Sequence, residues 1–280
     1  MKSLILWLSH RRLINILLLV SYFLLVVLPH EQVGRLTVAI FGHLSRDTYN
    51  LIILLLGSLS FGLFLIPFLK RIKRHPEKKI ISIYLLITIG LIILALNTLF
   101  VINIEIVHFF QYAGMTLLLF SLTFRYGETL FWATLLGAID EGYQYFYLSP
   151  ERTDYYDFND VIINLLGAAM MLIFIKTYSF AEVKIRSVKW YQSSVLYTSL
   201  VIVLGVAGLY FSGYLGIYPQ GSEVQPPILL VKVLPESFWS VVHPQVTYHV
   251  VLPLEGVILT SILLIFYSVG LSNTRLFQNK

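Results

Sequence analysis

The chain of 280 residues has no cysteine and few charged side chains. Without cysteine, disulfide bonds, thiolate chemistry and cysteine-bound metals are excluded. Asp, Glu, Lys and Arg make up 12% of the residues, against about 25% in an ordinary soluble domain, which is too few to cover a soluble surface. Apolar sequence is abundant instead: 57% of the residues are hydrophobic and the mean hydropathy is +0.78. This composition predicts an all-α, polytopic membrane protein.

Long apolar runs recur along the whole chain. A helix of about 20 residues crosses about 30 Å of hydrocarbon, and several runs reach that length. We interpret them as a bundle of eight transmembrane helices, at 13–28, 50–69, 80–101, 107–124, 129–147, 160–178, 192–212 and 250–270. Arg11 and Arg12 precede the first run as in a signal peptide, but no small-residue cleavage site follows, which favours a retained anchor.

The basic residues are divided unevenly between the two sides of the predicted bundle. If the N-terminus is cytoplasmic, 16 of the 20 Lys and Arg residues lie on the cytoplasmic side, and only Arg35, Arg46, Arg152 and Lys232 lie opposite. This asymmetry follows the positive-inside rule and predicts that both termini are cytoplasmic. Because the basic patches flank the spans, the net charge of +5 reports orientation, and no nucleic-acid partner is expected.

Three consecutive predicted spans carry polar side chains at helical spacing. They are Glu105, His108 and Tyr112 in the fourth span, Asp140, Glu141 and Gln144 in the fifth, and Asp160 and Asn164 in the sixth. Spacings of three and four residues place each set on one helical face. Short connections make the three spans antiparallel neighbours, and Gly137 and Gly167 allow close backbone approach. The orientation predicts that all three faces lie in the extracytoplasmic half of the membrane.

The adjacent acids Asp140 and Glu141 are the strongest indication of a site. One acidic residue at the middle of a membrane helix costs about 3 kcal/mol on insertion scales. An adjacent pair therefore needs protons, partners or water close by. No requirement of stability explains two acids at this depth, so the pair favours a functional site over a purely structural network.

Each of the other polar residues also has a structural explanation. Asp160 fits an N-cap or first-turn acid favoured by the helix dipole, and Asn164 fits a hydrogen bond between helices. His108 fits a packed histidine, and Tyr112 an interfacial aromatic residue. Their convergence with the acidic pair is what favours a common site.

The residue types point to acid–base chemistry at this site. His108 beside Asp140 or Glu141 would form an acid–base pair, so these three are the candidate catalytic residues. Arg152, the one cation in the loop between the fifth and sixth spans, would hold an anionic group. The remaining candidates, for substrate binding, are Glu105, Tyr112, Gln144, Asp160 and Asn164. With no His-Glu-x-x-His motif and no tight ligand spacing, the sequence predicts no metal site and assigns no cofactor.

Four short motifs occur in order between about residues 100 and 175. They are Glu105-x-x-His108-Phe109-x-x-Tyr112, Asp140-Glu141-x-x-Gln144, Pro150-x-Arg152 and Asp160-Val161-x-x-Asn164-x-x-Gly167. In content and order these motifs resemble those of the VanZ-like membrane proteins. The stretch between Arg152 and Asp160 is longer than the family pattern, which leaves Asp154 and Asp157 as alternatives to Asp160.

The resemblance divides the chain into three regions. An N-terminal three-helix region covers 1–99, a VanZ-like three-helix core covers 100–178, and a two-helix region with a long extracytoplasmic connection covers 179–280. The resemblance implies a multi-pass protein of the bacterial cytoplasmic membrane and cell envelope. The family's namesake is associated with lowered sensitivity to the glycopeptide antibiotic teicoplanin, but the resemblance implies no particular reaction.

Three classes of function stay open from the sequence. The leading hypothesis is a site that binds an envelope lipid or a lipid-linked anionic head group. If the protein is an enzyme, the same site would also process this ligand. The second is a proton-coupled transporter or lipid translocase that uses the intramembrane acids. The third is a non-catalytic scaffold that recruits a partner. Membrane lipids are the expected partners, and the sequence does not assign an oligomeric state.

Overall fold

A computed structural model describes most of the chain. The described residues are 2–29, 32, 36, 39–40, 43–100, 106–148, 150–151, 153–179, 192–219, 225–243 and 246–272. Two predicted site residues, Glu105 and Arg152, lie outside these ranges. The described part is mostly helical, with a few short strands, which confirms the predicted all-α class.

The helices after α1 follow the predicted apolar runs, whereas α1 lies before the first of them. They are α1 (Lys2–His10), α2 (Arg12–Tyr22), α3 (Arg46–Lys73), α4 (Lys78–Thr98), α5 (Ile106–Thr123), α6 (Tyr126–Tyr143), α7 (Phe158–Ser179), α8 (Ser194–Phe211) and α9 (Pro253–Ser272). Helix α2 continues as π-helical turns over Phe23–Val27, and α6 does so over Gln144–Leu148. Helices α1 and α2 meet at a bend of 106°.

Six of the described helices are long and apolar enough to cross a membrane, and the number is seven if the bent α1–α2 pair forms one span. These six are α3, α4, α5, α7, α8 and α9. Helix α6 is not among them, because its 18 residues include Glu128, Asp140 and Glu141. The helices therefore indicate a membrane protein.

Helix α7 is the central element of the bundle. It packs against α4, α5, α6 and α9, and every residue from Val161 to Met170 is buried. At Gly167 an added Cβ atom would overlap the backbone of Phe109, so helices α5 and α7 are in main-chain contact there. At Gly137 a Cβ atom would lie 3.2 Å from the Asn164 side chain. The predicted close approach at both glycines is thus present.

A buried ion pair fixes the C-terminal half of α7. The ammonium group of Lys176 lies 3.4 Å from Glu77 Oε2, in the connection before α4. The same group donates a hydrogen bond of 2.7 Å to the Leu271 carbonyl at the end of α9. Both side chains of the pair are almost fully buried. One lysine therefore joins α7 to two neighbouring elements at this end of the bundle.

Two helices lie at the periphery. None of the residues of α8 is buried, and α3 presents an exposed row of leucines along most of its length. Apolar side chains exposed over whole helices are what lipid contact requires, because hydrocarbon solvates them and water does not.

The proline-containing connection between α8 and α9 holds the strands. They are β1 (Leu215–Gly216), β2 (Ile228–Leu229), β3 (Ser240–His243) and β4 (Val246–Tyr248). Strand β1 pairs in parallel with β2, and β3 pairs antiparallel with β4. The chain after β2 also pairs with the loop before α7, where Tyr156 donates to the Leu230 carbonyl at 2.8 Å. The connections α6–α7 and α8–α9 therefore pack together.

The main-chain contact at Gly167 predicts a specific sensitivity. We expect Gly167→Ala to destabilise the protein by about 1–3 kcal/mol, because the methyl group must push α5 away from α7. Gly90→Ala in α4 is the matched control, since nothing lies within 4 Å of its added Cβ atom. Thermal unfolding of the purified protein in detergent should show a lower Tm for Gly167→Ala alone. Equal Tm values for the two variants would contradict the contact.

Candidate functional site

Three helix ends meet at the site. The N-terminal turns of α5 and α7 and the C-terminal turns of α6 lie at the same end of the bundle, because α6 runs antiparallel to both. We call the seven described side chains there the polar cluster: His108, Tyr112, Asp140, Glu141, Gln144, Asp160 and Asn164. The structure thus brings together all the described residues that the sequence predicted for the site.

His108 lies between two carboxylates. Its Nδ1 is 3.9 Å from Glu141 Oε1, and its Nε2 is 3.4 Å from Asp160 Oδ2. The side chains of His108 and Glu141 are 4% and 2% exposed, whereas Asp160 is 14% exposed. The cluster therefore opens towards the Asp160 side and is closed around the imidazole.

The two adjacent acids have different partners. Successive helical residues point about 100° apart, so Asp140 and Glu141 face different neighbours. The Tyr112 hydroxyl donates to Asp140 Oδ2 at 3.4 Å, and Gln144 Nε2 donates to Glu141 Oε2 at 3.0 Å. Oxygen Oε1 of Glu141 is buried and accepts no hydrogen bond from any residue within the described ranges. This oxygen is the one that faces His108.

Asn164 lies behind the imidazole. Its carboxamide lies close to His108 and to Gly137 on α6. Since Gly137 has no side chain, Asn164 fits between α5 and α6 from its position on α7. Neither polar atom of Asn164 forms a hydrogen bond with a described residue, so the predicted hydrogen bond between helices is not found among them.

Asp157, and not Asp160, caps the start of α7. Its Oδ1 accepts hydrogen bonds from the backbone N–H groups of Asn159 at 2.9 Å and Asp160 at 3.3 Å. This capping leaves the Asp160 side chain available to His108. The pKa of Asp157 is raised to about 7, first by loss of hydration and second by the nearby charge of Asp160. The geometry therefore favours Asp160 over Asp157 as the cluster acid.

Lys232 reaches the loop before α7 from the other connection. Its ammonium group donates to the carbonyls of Pro150 and Thr153, the second at 3.2 Å, and lies 4.4 Å from the centre of the Tyr145 ring. The sequence placed Lys232 on the same side as this loop but gave no sign of contact, because 79 residues separate it from Thr153. The ammonium group of Lys232 thus contacts the loop in which Arg152 was predicted to supply the positive charge.

Asn159 ties the start of α7 to two other segments. Its side-chain nitrogen donates to the Leu99 carbonyl at 2.8 Å and the His249 carbonyl at 2.9 Å. Its side-chain oxygen accepts from the Val251 backbone N–H at 2.9 Å. Sequence reasoning missed this residue, since its three partners are backbone groups that only the fold brings together. Asn159 immediately precedes Asp160 and so positions the cluster acid.

An apolar cavity adjoins the N-terminal half of α5. Its volume is about 310 Å³, and side chains of α3, α4 and α5 line it, among them Ile53, Ile92, Phe109 and Phe110. Its lining is almost entirely apolar. His108 and Phe109 are sequence neighbours, so α5 presents the polar cluster on one face and this cavity on another.

The cluster contains three side chains able to ligate a metal. One ligand atom from each of His108, Glu141 and Asp160 lies within 4.8 Å of the other two. Each residue comes from a different helix, which explains why no ligand spacing is visible in the sequence. The sequence prediction of no metal site used spacing alone and therefore did not test this arrangement.

Comparisons with family models, with curated proteins and with solved structures found no match. The VanZ-like resemblance therefore rests on the motif residues and stays an expectation. Functional conclusions for this chain depend on the geometry of its own side chains.

The bonds of Asn159 predict a second sensitivity. We expect Asn159→Ala to destabilise the protein by about 2–3 kcal/mol, because three hydrogen bonds worth about 1 kcal/mol each are lost. Asn97→Ala is the matched control, since the exposed Asn97 bonds among the described residues only to the Ile93 carbonyl of its own helix, and its loss should cost under about 0.5 kcal/mol. Thermal unfolding measures the difference. A Tm for Asn159→Ala as high as that of the control would contradict the stabilising role of these three hydrogen bonds.

Proposed function

We propose that the chain is a VanZ-like protein of the bacterial cell envelope whose polar cluster binds the head group of an envelope lipid. The observation that carries the proposal is the convergence of His108, Glu141 and Asp160 from three helices, with Asp160 at the open side. Buried polar groups are costly unless they have partners. A cluster kept at such cost, where α6 packs between two helices able to cross a membrane, favours a ligand over a purely structural role.

The apolar cavity supports a lipid as the ligand. A lipid has a polar end and alkyl chains, and α5 carries a polar surface at His108 next to an apolar lining at Phe109 and Phe110. A ligand with its head group in the polar cluster would extend its chain along α5 between helices of the membrane region. A soluble polar metabolite would make no use of the apolar lining.

The arrangement also supports acid–base chemistry on the bound head group. An imidazole with a carboxylate near each nitrogen can accept a proton from one group of a bound ligand and return it to the leaving group of the same ligand. Asp160 is the carboxylate that a ligand reaches first, because it is the most exposed of the three groups. In this mechanism His108 is the proton carrier and Glu141 stabilises its charged form.

The carboxylates of the acidic pair provide the decisive test. We expect the double variant Asp140→Asn, Glu141→Gln to retain no more than about a tenth of the lipid that the unaltered protein retains. This corresponds to a loss of about 1.4 kcal/mol in binding free energy. Amides keep the size of the side chains and their hydrogen bonding, but they carry no charge for the head group or for His108. Native mass spectrometry after reconstitution with bacterial polar lipids measures the bound lipid.

Glu255→Gln is the matched control for this experiment. Glu255 also pairs with a histidine, His249, at 3.1 Å, and it is outside the polar cluster. The control should retain lipid as the unaltered protein does. If the double variant retains as much lipid as the control, the cluster is a structural network or serves transport without stable lipid binding, and the proposal fails.

We further propose that the polar cluster faces the outside of the cell, with the pair Lys176 and Glu77 at the cytoplasmic end. The excess of Lys and Arg on the opposite side supports this orientation. Because the chain has no cysteine, a single introduced cysteine is labelled without background. Glu151 and Lys79 are exposed at the two ends and are suitable positions.

We expect a membrane-impermeant maleimide to label Glu151→Cys in intact cells, and to label Lys79→Cys only after the cells are opened. Gel-shift of the labelled protein measures both. Labelling of Lys79→Cys in intact cells would show that the proposed orientation is wrong.

A further inference from the structure

His108, Glu141 and Asp160 have the chemistry of a metal-binding set. One atom from each lies within 4.8 Å of the others, and the set combines an imidazole with two carboxylates. Imidazole is the commonest metal ligand in proteins. In a tetrahedral site with ligand bonds of about 2.1 Å, two ligand atoms are about 3.4 Å apart. The observed 3.4 Å between His108 Nε2 and Asp160 Oδ2 already equals that separation.

Glu141 provides independent support for a ligand at this point. Its side chain is 2% exposed, and its Oε1 faces His108 at 3.9 Å. That oxygen accepts no hydrogen bond from the described residues, although a buried carboxylate oxygen without a partner costs free energy. A cation between the imidazole and the two carboxylates would satisfy it. Its other oxygen, Oε2, is held by Gln144 at 3.0 Å, which fixes the direction of the unpaired one.

We propose that His108, Glu141 and Asp160 form a divalent-cation site. The imidazole favours a transition ion such as Zn²⁺ over Mg²⁺ or Ca²⁺, which prefer oxygen ligands alone, and the two carboxylates also suit Mn²⁺. Glu141 and Asp160 lie at different nitrogens of His108, and an ion binds only one of these nitrogens. Side-chain rotations that bring the three ligand atoms from within 4.8 Å to about 3.4 Å of one another would complete the coordination.

The ion would also define the ligand of the site. Three protein ligands leave at least one coordination position free, and it opens on the side of the partly exposed Asp160. An anionic oxygen, such as that of a phosphate head group, would fill this position. This role rests on the proposed binding of a head group, whereas binding of the ion itself does not. An ion on His108 occupies the ring nitrogen that would otherwise accept a proton, so the site with its ion would hold the head group through the metal and not through proton transfer by His108.

Metal binding is tested on the full-length protein in detergent, without added lipid and without a histidine tag. After treatment with a chelator, the protein is titrated with Zn²⁺ or Mn²⁺ by calorimetry, and its metal content is measured by mass spectrometry. We expect one ion per chain. Electron spin-echo measurements with Mn²⁺ should show coupling to one imidazole nitrogen, which a structural role of His108 would not produce. Stoichiometry below about 0.1 ion per chain at millimolar ion overturns the proposal.

Adjacent acids on the same helix give a matched pair of variants. We expect Glu141→Gln to weaken binding of the ion at least tenfold and Asp140→Asn to change it less than threefold, because only Glu141 belongs to the ligand set. Asp160→Asn, at a partly exposed side chain, should repeat the loss if Glu141→Gln does not fold. Unweakened binding in both ligand variants overturns the assignment of the site.

The role of the ion is measured separately from its binding. Lipid retention is compared before and after removal of the ion from the unaltered protein. A tenfold loss of retained lipid on chelation supports the ion as the contact to the head group. Unchanged retention of lipid overturns that role of the ion. Lipid binding and ion binding are each decided by the separate experiments above.

Discussion

Loss of hydration at two adjacent buried acids is the constraint on which the polar cluster depends. Asp140 and Glu141 are 0% and 2% exposed, and carboxylates in such positions are stable only with partners. The described partners come from α5 through Tyr112 and His108, and from the same helix through Gln144. Distances of 3 to 4 Å tolerate little sliding between helices. The positions of α5, α6 and α7 relative to one another are therefore part of the chemistry of the site.

Helix α7 supplies the rigidity that this constraint demands. Asp157 caps its first turn, Asn159 binds three backbone groups, and Lys176 joins its far end to α9 and to Glu77. Between these points the helix is buried among apolar side chains. Polar anchors at both ends and a close-packed middle fix its axial position, since packed interiors do not deform continuously. Asp160 is thus held at the level of His108.

Helical periodicity explains why much of the site was predictable. Spacings of three and four residues define a face from local geometry alone, so the polar faces of α5, α6 and α7 followed from the sequence, as did their neighbouring arrangement. Tertiary contacts explain what was missed. The contact of Lys232 with Thr153 and the bonds of Asn159 join segments at least 60 residues apart. The partners of Asn159 are backbone groups, which have no sequence signature. Asp157 caps the helix in place of Asp160 because α7 begins at Phe158, two residues earlier than the apolar run predicted.

Backbone contact between Gly167 and Phe109 sets the distance between α5 and α7 through the main chain alone. Helices that already touch cannot approach further, and the buried bonds at both ends of α7 resist their separation. The spacing between His108 on α5 and Asp160 on α7 is therefore a property of the backbone. Substitution of the surrounding side chains could change what the polar cluster binds without changing the distance at which these two groups meet a ligand.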